Sequence, residues 1–180
     1  MSSQSVHLPL FPRLPALALR WVPVTPLSMA LAGFARHLAQ RHPGMFRRLG
    51  RYDQTRFVLD PTDLPISILL EPRGGKPRLY LSRRKLRGDA RIAGPLAGLL
   101  GMVHGTYDGD ALFFSRDLLI EGDTAAVLAL RNAIDDAELD LSAEAQAMSG
   151  PFAAQVKRLI ALAEARTGVA LSRHEEIDGW

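Results

Sequence analysis

The chain has 180 residues, of which 47% are apolar and 23% charged, and its formal net charge is +3. That suits a single domain, or one domain with an appended arm, with ample apolar material for a core. There is no cysteine, which excludes disulfides, thiolate metal sites and cysteine nucleophiles.

The charge is unevenly spread. Residues 1–91 hold 16 Lys or Arg against 5 Asp or Glu, whereas residues 92–180 hold 6 against 14. A basic half can meet the phosphates of nucleic acid or of lipid head groups. The plainer alternative is that the two halves attract each other, or that the folded surface mixes the signs.

Residues 1–7 are polar and read as a frayed end. Residues 8–27 are apolar but broken by Pro9, Pro12, Pro15, Pro23 and Pro26. They are too interrupted for a membrane span, which needs about 20 mostly apolar residues, and they lack the basic start of a secretory signal. A short helix over Leu14 to Val22 would put Trp21 beside Arg20, a pairing suited to a membrane interface. The alternative is a helix packed on the domain with Trp21 partly buried. A clearer helix opens at Thr25-Pro26, carries Leu27, Leu31, Phe34 and Leu38 on one stripe, and stops at Pro43-Gly44. Met45 to Leu49 can add a turn.

From Thr55 the period changes. Phe57 to Leu59 is a candidate strand, and Asp60-Pro61-Thr62-Asp63 has turn chemistry. Ile66 to Glu71 and Arg78 to Arg83 form a hairpin about the loop Pro72 to Lys76, with Leu79 and Leu81 on one face and Tyr80 on the other. Arg83-Arg84-Lys85-Leu86-Arg87 is a basic connection. Asp89 to Gly94 reads as a further strand, and Pro95 starts a helix with Leu96, Leu99, Leu100 and Val103 at helical spacing up to Gly105. Leu112 to Phe114 and Leu118 to Ile120 are short apolar runs that fit buried strands, parted by Ser115-Arg116-Asp117. Gly122 breaks the strand, Asp123 or Thr124 caps, and a helix to Asp136 repeats Val127, Leu130 and Ile134 on one face. Ala137 to Ser149 is acidic and alanine-rich, a linker or a frayed helix. Gly150-Pro151 opens a last helix with the stripe Phe152, Val156, Leu159, Ile160 and Ala163, before a polar tail from Leu171.

The stretch Leu112-Phe113-Phe114-Ser115-Arg116-Asp117-Leu118-Leu119-Ile120-Glu121-Gly122-Asp123-Thr124 and the helix after it resemble the signature of the sterol-carrier-protein-like lipid-binding family. More narrowly they resemble the UbiT accessory factors of oxygen-independent ubiquinone biosynthesis. The likeness is specific over residues 107–137 and looser elsewhere, reaching back to "VLDPTDLPISILLEP" and the helical N-terminus. It implies an α+β fold: a curved, mostly antiparallel sheet of about five strands covered by helices. A helical N-terminal arm would span 1–50, the lipid-binding domain 51–140, and a C-terminal helix with its tail 141–180.

Catalytic constellations are missing. The five histidines show no H-E-x-x-H spacing, there is no Walker A, G-x-G-x-x-G or G-x-S-x-G sequence, and Asp123 is better explained as a cap than as a partner of Glu121. The expectation is therefore a protein that is not an enzyme and carries no metal and no cofactor. The aromatics Trp21, Tyr52, Phe57 and Tyr80 do not make the aromatic-plus-basic pattern of an RNA-binding sheet, so nucleic acid is not an expected partner.

What remains is apolar volume between sheet and helices. The expected lining is Leu99, Leu100, Val103, Phe113, Phe114, Leu118, Ile120, Val127, Leu130 and Ile134; a fully packed core is the alternative. The resemblance implies that the ligand is an isoprenoid quinone precursor or a phospholipid. It further implies that the chemistry belongs to an iron–sulfur hydroxylase pair of the UbiU–UbiV kind, and that the setting is cytoplasmic, peripheral at the inner membrane. A general phospholipid or fatty-acyl carrier of the same fold is the runner-up. Membrane contact is expected at Arg13, Arg20 and Trp21, with Arg36, Arg41, Arg47 and Arg48 adding charge towards an anionic surface.

Overall fold

A computed structural model of the chain describes residues 11–12, 21–104 and 118–167. The expected strand at Leu112 to Phe114, with Phe113 and Phe114, lies outside these residues, as does the expected helix from Leu14 except for Trp21 and Val22. Helix α1 spans Val24–Arg41. Pro43 does not simply end it: with Pro in the first turn, where no backbone donor is lost, α2 starts at once and runs Pro43–Arg48.

The sheet strands are β1 (Phe57–Pro61), β2 (Ser67–Glu71), β3 (Arg78–Ser82), β4 (Ala90–Gly94) and β5 (Leu119–Gly122). Their spatial order is β3-β2-β1-β4-β5. Every neighbouring pair is antiparallel except β1 and β4, which run parallel with Phe57 opposite Ala90 and Leu59 opposite Ile92. The sheet is thus mixed and open. Asp60 and Pro61, read above as a turn, are the last residues of β1; the turn begins at Thr62, whose N–H donates to Gly94 O at 2.9 Å.

Because side chains alternate along a strand, the register fixes two faces. Phe57, Leu59, Leu70, Ala90, Ile92 and Ile120 share one face, and each belongs to the main apolar cluster or packs on it. Val58, Asp60, Ser67, Arg91 and Glu121 lie on the other. Helices α3 (Leu96–His104) and α4 (Thr124–Asp135) cover the first face. Val127, Leu130 and Ile134 of α4 are buried there, each such side chain contributing about 1.5–3 kcal/mol. Leu38, Ala39, Met45, Phe46 and Leu49, from α1 and the stretch after it, enter the same core. Along the outer edge, Ser28 Oγ of α1 accepts the N–H of Leu81 on β3 at 3.3 Å, covering part of an otherwise open strand edge.

Local signals place the ends of the elements. Gly122 has φ +81, a region open to glycine, and a β-carbon there would lie 2.2 Å from Asp89 O. Asp123 Oδ1 accepts Ala126 N–H at 3.0 Å and caps α4. Asp63 acts from further away: its Oδ1 accepts Leu96 N–H at 2.9 Å and so serves the first turn of α3. The acidic, alanine-rich stretch is a real helix rather than a linker. It forms α5, Leu141–Met148, with Asp140 Oδ1 accepting from Ser142 N (2.8 Å) and Ala143 N (3.0 Å). Helix α6, Ala153–Thr167, follows and packs chiefly on α5. Its apolar stripe is largely uncovered, with Phe152 66% and Leu159 65% exposed.

Candidate functional site

Leu99 from α3, Leu118 beside β5, and Val127, Leu130 and Ile134 from α4 are all buried in one apolar cluster, with Val103 and Ile120 half-buried against it. Eight of the ten expected lining residues are described, and seven of them meet here. Leu100 is half-buried but stands outside the cluster. Sequence reasoning missed several members: Met102, Ala126, Ala133, Phe57 and Ile92 are in the same cluster. Ala126 and Ala133 are invisible to a pattern built on bulky residues, although they lie beside Val127 and Ile134 on the buried face.

Helix α3 differs from its neighbours. From Leu96 to Val103 its sequence is Leu-Ala-Gly-Leu-Leu-Gly-Met-Val, with no polar side chain. A helix that is apolar all round needs apolar surroundings on every side. Ala97, Leu99 and Met102 are buried, whereas Leu96, Leu100 and Val103 remain half-exposed. Apolar surface is therefore left incompletely covered at the margin of the core, on the helix that packs over the sheet beside α4.

Several charged groups have structural partners. Arg91 donates to Asp60 and, through Nη1, to Glu121 at 2.6 Å; its hydrogen bonds to these carboxylates, Asp60 before Glu121, raise its pKa. Arg48 pairs with Asp136, and Arg41 Nε lies 3.0 Å from Glu144. The basic and acidic halves thus partly neutralise each other across the fold. Arg41 and Arg48, expected to face a membrane, are engaged in this way. Arg13 and Arg20 lie outside the described residues, and Trp21 is 90% exposed, which overturns the partly buried alternative.

Among the described residues no helix is long and apolar enough to cross a membrane. A model of the SCP-2 sterol transfer family matches residues 35–135. The chain belongs to the SCP-2 sterol transfer family. The match takes in α1 from Ala35, the whole sheet and α4, so most of the apolar cluster lies inside the SCP-2 region and the fold is a lipid-binding one. Among solved structures the chain is similar to the UbiJ-SCP2 ubiquinone synthesis protein, at 17% identity and TM-score 0.54, covering 65% of this chain and 96% of that one. It is also similar to a crystal structure of sterol carrier protein 2, at 15% identity and TM-score 0.46, over 59% and 94% of the two chains. The apo form of sterol carrier protein 2 from Yarrowia lipolytica matches at 13% identity and TM-score 0.45, over 62% and 92%. No curated protein matches the chain.

Proposed function

We propose that this SCP-2 protein is a non-enzymatic accessory factor of oxygen-independent ubiquinone biosynthesis. It holds an isoprenoid quinone precursor, or a phospholipid, by its apolar chain between α3, β5 and α4. The observation that carries the reading is the margin of α3, where Leu96, Leu100 and Val103 present apolar surface that the protein itself leaves half-covered. An apolar chain laid there removes that surface from water, at about 25 cal/mol per Å². The ubiquinone role draws on the resemblance of residues 107–137 and on the likeness to the UbiJ-SCP2 ubiquinone synthesis protein. The non-enzymatic part draws on the duties of Glu121 and Asp123: the first pairs with Arg91 and the second caps α4.

In this account the protein lends solubility to a substrate that an iron–sulfur hydroxylase pair modifies, and it works at an anionic membrane surface from the cytoplasmic side. The alternative is a general phospholipid or fatty-acyl carrier, which the membership of a sterol transfer family favours. Native mass spectrometry of the purified protein, followed by solvent extraction, separates the two. A co-purifying prenylated aromatic precursor supports the quinone reading. Phospholipid alone, with no displacement by added prenylated precursor, supports the general carrier.

A further inference from the structure

The sheet face turned away from the apolar cluster carries a concavity. Its volume is about 340 Å³, and its lining includes Asp60, Thr62, Ser67, Arg84, Lys85 and Arg91. Among the described residues, two features of this hollow stand out. The first is Ser67, which is only 3% exposed and whose Oγ is buried without a hydrogen-bond partner. A buried hydroxyl without a partner is costly, so such a group calls for something that bonds to it. The second is the basic connection after β3. Ser82 stands directly opposite Ser67 in the β2–β3 register, and its Oγ accepts Arg84 N–H at 3.0 Å. That bond fixes the start of the connection beside the hollow. Arg83 Nη2 donates to Val22 O, which ties the same connection to the chain ahead of α1.

The charge balance of the hollow favours an anion. Asp60 is its acidic member, and its carboxylate accepts from Arg91 Nε at 3.1 Å. Arg91 is shared between Asp60 and Glu121, so it has no charge to spare for a ligand and the three groups together carry one net negative charge. Arg84 and Lys85 are exposed, and among the described residues neither side chain has an ion pair. The two cations Arg84 and Lys85 outweigh the single negative charge left when Arg91 is shared between Asp60 and Glu121. With an unpartnered hydroxyl lining the same hollow, they suit a tetrahedral oxyanion, whose several oxygens accept from both kinds of donor.

We infer that this hollow is a phosphate-binding site, in which Ser67 Oγ donates to one phosphate oxygen and Arg84 and Lys85 neutralise the charge. It lies on the opposite face of the sheet from the apolar cluster and does not depend on the lipid reading. The phosphate is that of a lipid head group or of a soluble phosphate ester.

The test is titration of the full-length protein with inorganic phosphate at low salt, alongside flotation with phosphatidylglycerol and phosphatidylcholine vesicles. Two variants are used, Ser67→Ala and the double variant Arg84→Gln/Lys85→Gln. Wild-type protein binds phosphate saturably, and the double variant binds about ten-fold more weakly, as expected for the loss of a charge-assisted contact. Ser67→Ala gives opposite signs in two readouts: phosphate binding weakens several-fold, while the unliganded protein keeps or raises its denaturation midpoint, because an unpartnered hydroxyl has been removed. Phosphatidylglycerol binding that falls in both variants assigns the phosphate to a lipid head group. Vesicle binding indifferent to the variants, with phosphate binding still lost, assigns it to a soluble ester. No saturable phosphate binding by the wild type, or equal binding by wild type and both variants, overturns the proposal.

Discussion

Glu144 of α5 and His42, which joins α1 to α2, are 102 residues apart, yet His42 Nε2 lies 2.8 Å from Glu144 Oε1. His37 Nε2 reaches the other carboxylate oxygen at 3.1 Å, and Arg41 Nε lies 3.0 Å from that same oxygen. Burial alone would push the Glu144 carboxyl up, but the His42 hydrogen bond and the charges of Arg41, His42 and His37 outweigh it and hold its pKa below the ordinary glutamate value.

This makes the docking of α5 sensitive to acid. A carboxylate whose folded pKa is depressed adds stability that is fully present above its unfolded pKa, about 4.3, and is lost as pH falls through the lower folded value. Glu144→Gln is therefore expected to lose about 1–3 kcal/mol at neutral pH, where the ring and guanidinium donors keep a weaker acceptor. Chemical denaturation at a series of pH values checks this. The gap between wild type and variant should narrow below about pH 4, as the wild-type carboxyl also protonates. A gap that stays constant down to about pH 3 contradicts the assignment.

Gly122 and Asp123 should act on stability rather than on chemistry. Asp123→Ala removes the α4 cap and should cost about 0.5–2 kcal/mol, while Asp123→Asn, which can still accept the Ala126 N–H, should be nearly silent. Gly122→Val must place a β-carbon at positive φ and against Asp89 O, so its cost should exceed about 1–2 kcal/mol. Denaturation midpoints read all three. If Asp123→Asn abolishes biological activity with an unchanged midpoint, the capping account fails and a catalytic role for Glu121 and Asp123 must be reopened.

Contact with anionic membranes should depend on the exposed groups that no ion pair already engages. Trp21, Arg36, Arg41, Arg47 and Arg48 are all exposed, but Arg41 and Arg48 are paired with Glu144 and Asp136. Each cation at an anionic leaflet adds about 1 kcal/mol, so flotation with anionic vesicles should show binding that fades with salt. Arg36→Gln/Arg47→Gln should weaken it more than Arg41→Gln/Arg48→Gln. Equal binding to neutral vesicles removes the electrostatic part of the claim.

Much of this architecture was legible where periodicity is strong. The stripe of α1, the hairpin around Pro72 to Lys76, the Gly122–Asp123 junction and the buried face of α4 follow from spacing and turn chemistry. Two features were not. The parallel pairing of β1 with β4 skips over a whole hairpin, and local sequence carries no signal for such a partner. Helix α5 has little apolar periodicity; it is held by Glu144, whose partners His37, Arg41 and His42 are far away in the chain. At α6 the stripe from Phe152 to Ile160 was legible, but its spacing does not say what covers it, and Phe152 and Leu159 stand largely exposed. At the candidate site, the bulky residues showed their spacing, while Ala126, Ala133 and the orphan hydroxyl of Ser67 are defined only by what surrounds them.

The central claim is that an apolar chain occupies the space bounded by α3, β5 and α4. Titration of delipidated protein with a fluorescent acyl-chain probe tests it most directly. The account predicts saturable binding near one probe per chain, displaced by an isoprenoid quinone precursor and weakened by Leu100→Trp without a matching fall in the denaturation midpoint. A linear, unsaturable signal that no competitor displaces would contradict it.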